Sequence, residues 1–91
     1  MSTKTIITSF ENYLRENGRS PSTIVAYKTD IRQFLEYSNI ELADLNKKSV
    51  DNFFTYLEEN YISPKTISRK LNSIRTFSNF LYRRRKIETD F

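Results

Sequence analysis

The sequence predicts an all-α protein folded as a single four-helix bundle. Three observations carry that prediction. The 91 residues include one Gly and two Pro, too few for the tight turns of a sheet-rich fold. Apolar residues recur at helical spacing in four separate stretches. Two of those stretches open on the same pair, Ser20-Pro21 and Ser63-Pro64. In each pair the serine side chain accepts from a free backbone amide, and the proline has no amide to lose. A chain of this length supports one core rather than two, and its seven Phe and six Tyr supply most of the bulk to fill it.

The first helix is expected over about 4–17, where Ile6, Ile7, Phe10, Tyr13 and Leu14 share one face and Gly18 ends the run. The second, 21–38, carries Ile24, Tyr27, Ile31, Phe34 and Leu35. Residues 39–46 lack sustained periodicity and read as a loop in which Leu42 and Leu45 cover an edge of the core. Asn46 caps a third helix, 47–60, with Val50, Phe53, Phe54 and Leu57 in register. The fourth and longest, 64–84, sets Ile67, Leu71, Ile74, Phe77, Ser78 and Leu81 on one side. The likeness of 20–24 to 63–67 reflects shared capping chemistry, since a solenoid needs at least three units.

Composition excludes much chemistry. With no Cys there are no disulfides, and with no His the commonest general base and metal ligand are missing. No cofactor or metal is expected. The adjacent Glu58 and Glu59 point about 100° apart on a helix and read as a solvated helix end rather than an acid/base pair. No apolar run approaches the roughly 20 residues needed to cross a bilayer, and Met1-Ser2-Thr3-Lys4 lacks the hydrophobic segment of a signal peptide. A cytoplasmic location is the expectation, and the absence of Cys fits it.

Charge is unevenly spread. Residues 1–60 hold seven basic and nine acidic side chains, whereas residues 61–87 hold eight basic ones and no acid. On the fourth helix Lys65, Arg69, Asn72, Thr76, Asn79 and Arg83 lie opposite Ile74, flanked by Ser68 and Arg75. Cations here alternate with amides and hydroxyls instead of carboxylates. Such a mixture neutralises phosphates and meets donor and acceptor edges in the major groove, while plain solvation of a helix face is the competing reading. The polar side of the second helix carries Ser22, Lys28, Thr29, Arg32 and Gln33 beside Val25. Most aromatics fall on the apolar stripes and read as core, which argues against a base-stacking surface. Tyr37, Tyr56 and Phe80 fall off the stripes, and Phe80 is expected to pack against the remainder of a longer protein.

Two segments carry a resemblance. The run Ser20-Pro21-Ser22-Thr23-Ile24-Val25-Ala26-Tyr27-Lys28-Thr29-Asp30-Ile31-Arg32-Gln33-Phe34-Leu35 resembles the second helix of the N-terminal core-binding, SAM-like domain of tyrosine recombinases, the phage integrase family. Ser63-Pro64-Lys65-Thr66-Ile67-Ser68-Arg69-Lys70-Leu71-Asn72-Ser73-Ile74-Arg75-Thr76-Phe77 is similar to that family's fourth helix. The resemblance spans nearly the whole chain. It implies a module that grips double-stranded DNA as half of a clamp and positions a recombinase on its core site for integration or recombination. It also implies that the second and fourth helices approach the major groove through Ser22, Thr23, Lys28 and Arg32, and through Lys65, Ser68, Arg69, Asn72, Arg75 and Thr76. Arg69→Ala is then expected to weaken DNA binding without unfolding the bundle.

The resemblance further implies a catalytic domain C-terminal to this one, and other recombinase subunits, as partners. By itself the domain is expected to be monomeric and without catalysis, because a chain lacking His cannot hold the family's catalytic constellation. Residues 1–86 are expected to form the DNA-binding domain and 87–91 the start of a linker, although the Asn-Pro pair common in such linkers is missing. From the residues alone, a helical protein-interaction module with a basic face stays open as an alternative. A helix-turn-helix regulator is matched only loosely by Gly18 to Ser22.

Overall fold

A computed structural model describes residues 3–39 and 41–84. The expected linker at 87–91, with Arg85 and Lys86 before it, lies outside the described residues. Four helices run in the order α1 (Thr3–Glu16), α2 (Pro21–Ser38), α3 (Lys47–Glu59) and α4 (Pro64–Arg83), with no strand among the described residues. Each boundary falls within a residue of the one that periodicity and capping predict, the usual uncertainty of a fraying helix end. Among the described residues, the stretch leading into α3 holds more regular structure than expected. It contains a 3₁₀ turn, Leu42–Asp44, and drops Leu45 into the core.

The termini explain why the helices start and stop where they do. Ser20 Oγ accepts from the Thr23 amide at 3.2 Å, and Ser63 Oγ accepts from the Thr66 amide at 3.3 Å. Asn46 and Ser49 form a reciprocal capping box at the start of α3. At the end of α1 the Gly18 amide donates to the Arg15 carbonyl and the Arg19 amide to the Leu14 carbonyl, both at 3.1 Å. Such a closure needs a left-handed residue, and Gly18 supplies it at φ 75°. The end of α3 repeats the pattern, with Tyr61 donating to Glu58 and Ile62 to Leu57. There the left-handed position, φ 58°, is filled by Tyr61, whose side chain is 94% exposed.

Packing makes α2 and α4 the central pair. Each touches the other and both remaining helices, whereas α1 and α3 do not meet among the described residues. Phe10 on α1 stands edge-on to Phe77 of α4 at 5.1 Å, and Tyr13 lies 5.1 Å from Phe80. On the other flank Phe34 of α2 meets Phe53 of α3 at 5.5 Å, and Tyr37 stacks on Tyr56 at 4.6 Å. Phe80 therefore does not wait for a missing neighbour. It is buried against α1, because a position three residues beyond Phe77 turns by only about 60° from it.

Stability responds oppositely at the left-handed positions that follow α1 and α3. Tyr61→Gly relieves strain on an exposed side chain and is expected to raise stability by about 1 kcal/mol, or roughly 4–8 °C in Tm. Gly18→Ala introduces the same strain, with nothing within 4 Å of the new methyl group, and is expected to lower stability by about 1 kcal/mol. Paired thermal melts check both, and a Tyr61→Gly protein no more stable than the parent would place the strain elsewhere.

Candidate nucleic-acid interface

Helical periodicity and the core together decide what α4 shows to solvent. With Ile74, Phe77 and Leu81 turned inward, Lys65, Ser68, Arg69, Asn72 and Arg75 are exposed along the opposite side, and Asn79 and Arg83 extend the row. Thr76 is half-buried, and its hydroxyl donates to the Asn72 carbonyl at 2.9 Å. No acidic residue occurs anywhere on α4. Lys65, Arg75 and Arg83 make no ion pair among the described residues, so their charge is free to act outward.

Arg69 differs, because it closes a seam between α4 and α2. Asp30 of α2 is wholly buried, and each of its carboxylate oxygens receives two donors. Oδ1 accepts from Arg69 Nη2 at 2.7 Å and from Lys70 Nζ at 2.9 Å. Oδ2 accepts from Arg69 Nε at 3.1 Å and from Ser73 Oγ at 2.7 Å. Lys70, only 5% exposed, donates also to Gln33 Oε1 at 2.6 Å. Burial by itself pushes the Asp30 carboxyl up, but the hydrogen bonds from Arg69, Lys70 and Ser73 outweigh it and hold the group below its ordinary value. The same hydrogen bond raises the pKa of Arg69, which stays a cation throughout.

The α2 residues singled out from sequence divide. Ser22 is exposed at the start of the helix, with its hydroxyl 3.3 Å from Ser20 Oγ. Thr23 is half-buried and accepts from Ser20 Oγ at 2.9 Å, which ties it to the cap. Lys28 and Arg32 each sit two residues from Asp30, about 200° around the helix, on the flank turned away from α4. Lys28 instead donates to Glu11 Oε1 of α1 at 2.9 Å, and Arg15 reaches the other oxygen of the same carboxylate at 2.7 Å. The bond from Lys28, then that from Arg15, holds the Glu11 carboxyl below its ordinary range. Arg32 is exposed and makes no ion pair among the described residues.

Sequence reasoning missed the buried members of the seam. A signal was available. Asp30 lies three residues after Tyr27 and four before Phe34, so it interrupts an apolar stripe at helical spacing. Lys70 and Ser73 interrupt the α4 stripe likewise, each four residues before a core residue, Ile74 and Phe77. A polar side chain inside an apolar stripe implies a buried partner of complementary chemistry.

The family model described as "Phage integrase, N-terminal SAM-like domain" matches residues 7–85. The chain belongs to this family. The chain is also similar to a protein of Caldanaerobacter subterraneus subsp. tengcongensis named as a tyrosine recombinase, at 34% identity over 91 residues. That similarity covers 96% of this chain but 31% of the relative, so the SAM-like domain spans about a third of the length of the protein it matches. No solved structure matches it. No helix among the described residues of the domain is long and apolar enough to cross a membrane.

The Asp30 carboxyl, held below its ordinary value near 3.8, makes stability depend on acid. A depressed carboxylate contributes fully above its unfolded value and loses that contribution as pH falls through the folded one. As pH falls below about 4 the urea midpoint is therefore expected to fall. Asp30→Asn should flatten that dependence while lowering stability at neutral pH by about 3–5 kcal/mol, since Lys70 stays buried without its counter-charge. An unchanged acid profile in Asp30→Asn would assign the dependence to other carboxylates.

Proposed function

We propose that this domain binds double-stranded DNA through the polar face of α4 and positions a tyrosine recombinase, or integrase, on its core site. The carrying observation is that face itself, where Lys65, Arg75 and Arg83 stand exposed among amides and hydroxyls with no acid on the helix. A face kept merely soluble needs no such exclusion of carboxylates, whereas a polyanion partner does. Membership of the family and the likeness to a tyrosine recombinase give the DNA reading its context.

In this reading Lys65 and Arg75 neutralise phosphates, and Ser68, Arg69, Asn72 and Thr76 face base edges in the major groove. Ser22 and Thr23 at the start of α2 join the same approach, and Lys28 and Arg32 serve the flanking backbone from the far side of α2. The domain performs no bond chemistry. That belongs to a catalytic domain in the same polypeptide, which with further recombinase subunits on DNA completes the set of partners, all within the cytoplasm. Held by one domain alone, a duplex is bound weakly, on the order of 10⁻⁴ to 10⁻⁶ M, with log affinity falling against log salt at a slope of roughly −4 to −5 for about five phosphate contacts.

The seam bears on how this is tested. Arg69→Ala strips donors from buried Asp30 and perturbs the fold along with the face, so Lys65 and Arg75 are the cleaner probes. Lys65→Ala and Arg75→Ala are each expected to weaken binding to a random-sequence duplex and to reduce the salt slope by about 1, with melting temperatures unchanged. Fluorescence anisotropy at several salt concentrations measures both quantities. Slopes equal to that of the parent, or displacement by polyglutamate but not by duplex, would overturn the reading in favour of a protein-interaction module.

A further inference from the structure

The Asp30 seam commits one edge of the Arg69 guanidinium and leaves another free. Nε and Nη2 are bound side-on to the carboxylate, while Nη1 makes no hydrogen bond among the described residues. The Arg69 side chain is 47% exposed and that of Asp30 0%. The carboxylate is in turn fixed by Lys70 and Ser73. Arg69 is therefore anchored at its inner edge by a group that cannot itself rotate, and its outer N–H groups emerge on the polar face of α4. An ordinary surface arginine samples many rotamers and loses that freedom on binding. This one has lost it in the free domain.

We propose that Asp30 is a positioning residue for DNA recognition, holding Arg69 so that its outer N–H pair is presented ready-made to paired acceptor atoms of the duplex. The inference rests on the DNA-binding reading above and adds to it the means by which one contact becomes geometrically selective. Paired acceptors occur both on a guanine edge, as O6 and N7, and on the phosphates. A guanidinium held in one plane discriminates among acceptor geometries, whereas a freely swinging one contributes only charge. Lys70, fully engaged inside the seam, takes no part in the contact and serves to fix the carboxylate.

The test uses a sign that simple electrostatics does not share. Asp30→Asn removes a negative charge close to the proposed interface, so Coulomb attraction alone makes DNA binding tighter. Positioning makes it weaker, by about two- to tenfold, the range that immobilising one long side chain commands. Binding of random-sequence and guanine-rich duplexes is measured for the parent, Asp30→Asn, Arg69→Gln and the double variant, at a temperature where melts show each to be folded. Should Asp30→Asn fail to fold, Asp30→Asn with Lys70→Met removes both buried charges together and leaves the net charge unchanged, so that any weakening reports on geometry.

Weaker binding by Asp30→Asn, with no additional effect once Arg69 is already Gln, supports the proposal. A loss confined to the guanine-rich duplex assigns the contact to bases, and an equal loss on both duplexes assigns it to phosphates. Tighter or equal binding by Asp30→Asn, beside weaker binding by Lys65→Ala, overturns the positioning role and leaves DNA binding intact. A parent domain that binds neither duplex at low salt overturns both.

Discussion

One buried carboxylate organises this bundle. Asp30 has no solvent to hydrate it, and an ionised group in that position is tolerated only where donors saturate it. Four N–H and O–H groups do so, and all come from three residues within one turn of α4. The requirement therefore fixes more than a pairwise contact. It sets the rotation of α4 about its own axis and its height along α2, because a small slide or turn of either helix would leave the carboxylate or the Lys70 ammonium buried without a partner. Apolar packing around Ile31, Phe34, Ile74 and Phe77 supplies most of the driving force but tolerates small shifts far better. Which side of α4 faces outward follows from the polar seam as much as from the apolar stripe.

The helices themselves were nearly all legible in the sequence, and the reasons are local. Ser20-Pro21, Ser63-Pro64, Asn46 and Gly18 act through hydrogen bonds within a few residues of chain, so their effect is visible without knowing the fold. The apolar stripes likewise need only the period of a helix. What escaped depends on partners far along the chain. Arg69 looked like a free cation because its acid lies 39 residues away on another helix. The ion pair of Lys28 is hidden for a similar reason, its partner Glu11 sitting on α1. Phe80 lies at the edge of the α4 stripe, and what buries it there is brought by α1, far away in the chain. Tyr61 carried no local signal at all, since a tyrosine is a poor occupant of a left-handed turn.

Asymmetry in the packing has its own logic. The aromatic cluster of Phe10, Tyr13, Phe77 and Phe80 joins α1 to α4, and the cluster of Phe34, Tyr37, Phe53 and Tyr56 joins α2 to α3. Between them runs the polar seam. Edge-on and tilted ring contacts fill space efficiently without demanding one register, so the geometric specification falls to the charged groups. A chain with one Gly, two Ala and no Cys thus obtains a defined arrangement from a single polar cluster set between two adaptable apolar ones.

The order of the elements along the chain has a consequence for how the domain is made. Because α1 and α3 do not meet among the described residues, the first three helices have only α2 in common, and they leave the middle of the bundle open until α4 is present. As a ribosome extends the chain by roughly 5–20 residues each second, Asp30 appears long before its donors and stays hydrated until they arrive. The fourth helix is then the keystone, and it is also the one that carries the cationic row. Nascent chain without it has neither a closed interior nor the cationic row, so the newborn domain gains its fold and its most basic surface in the same step.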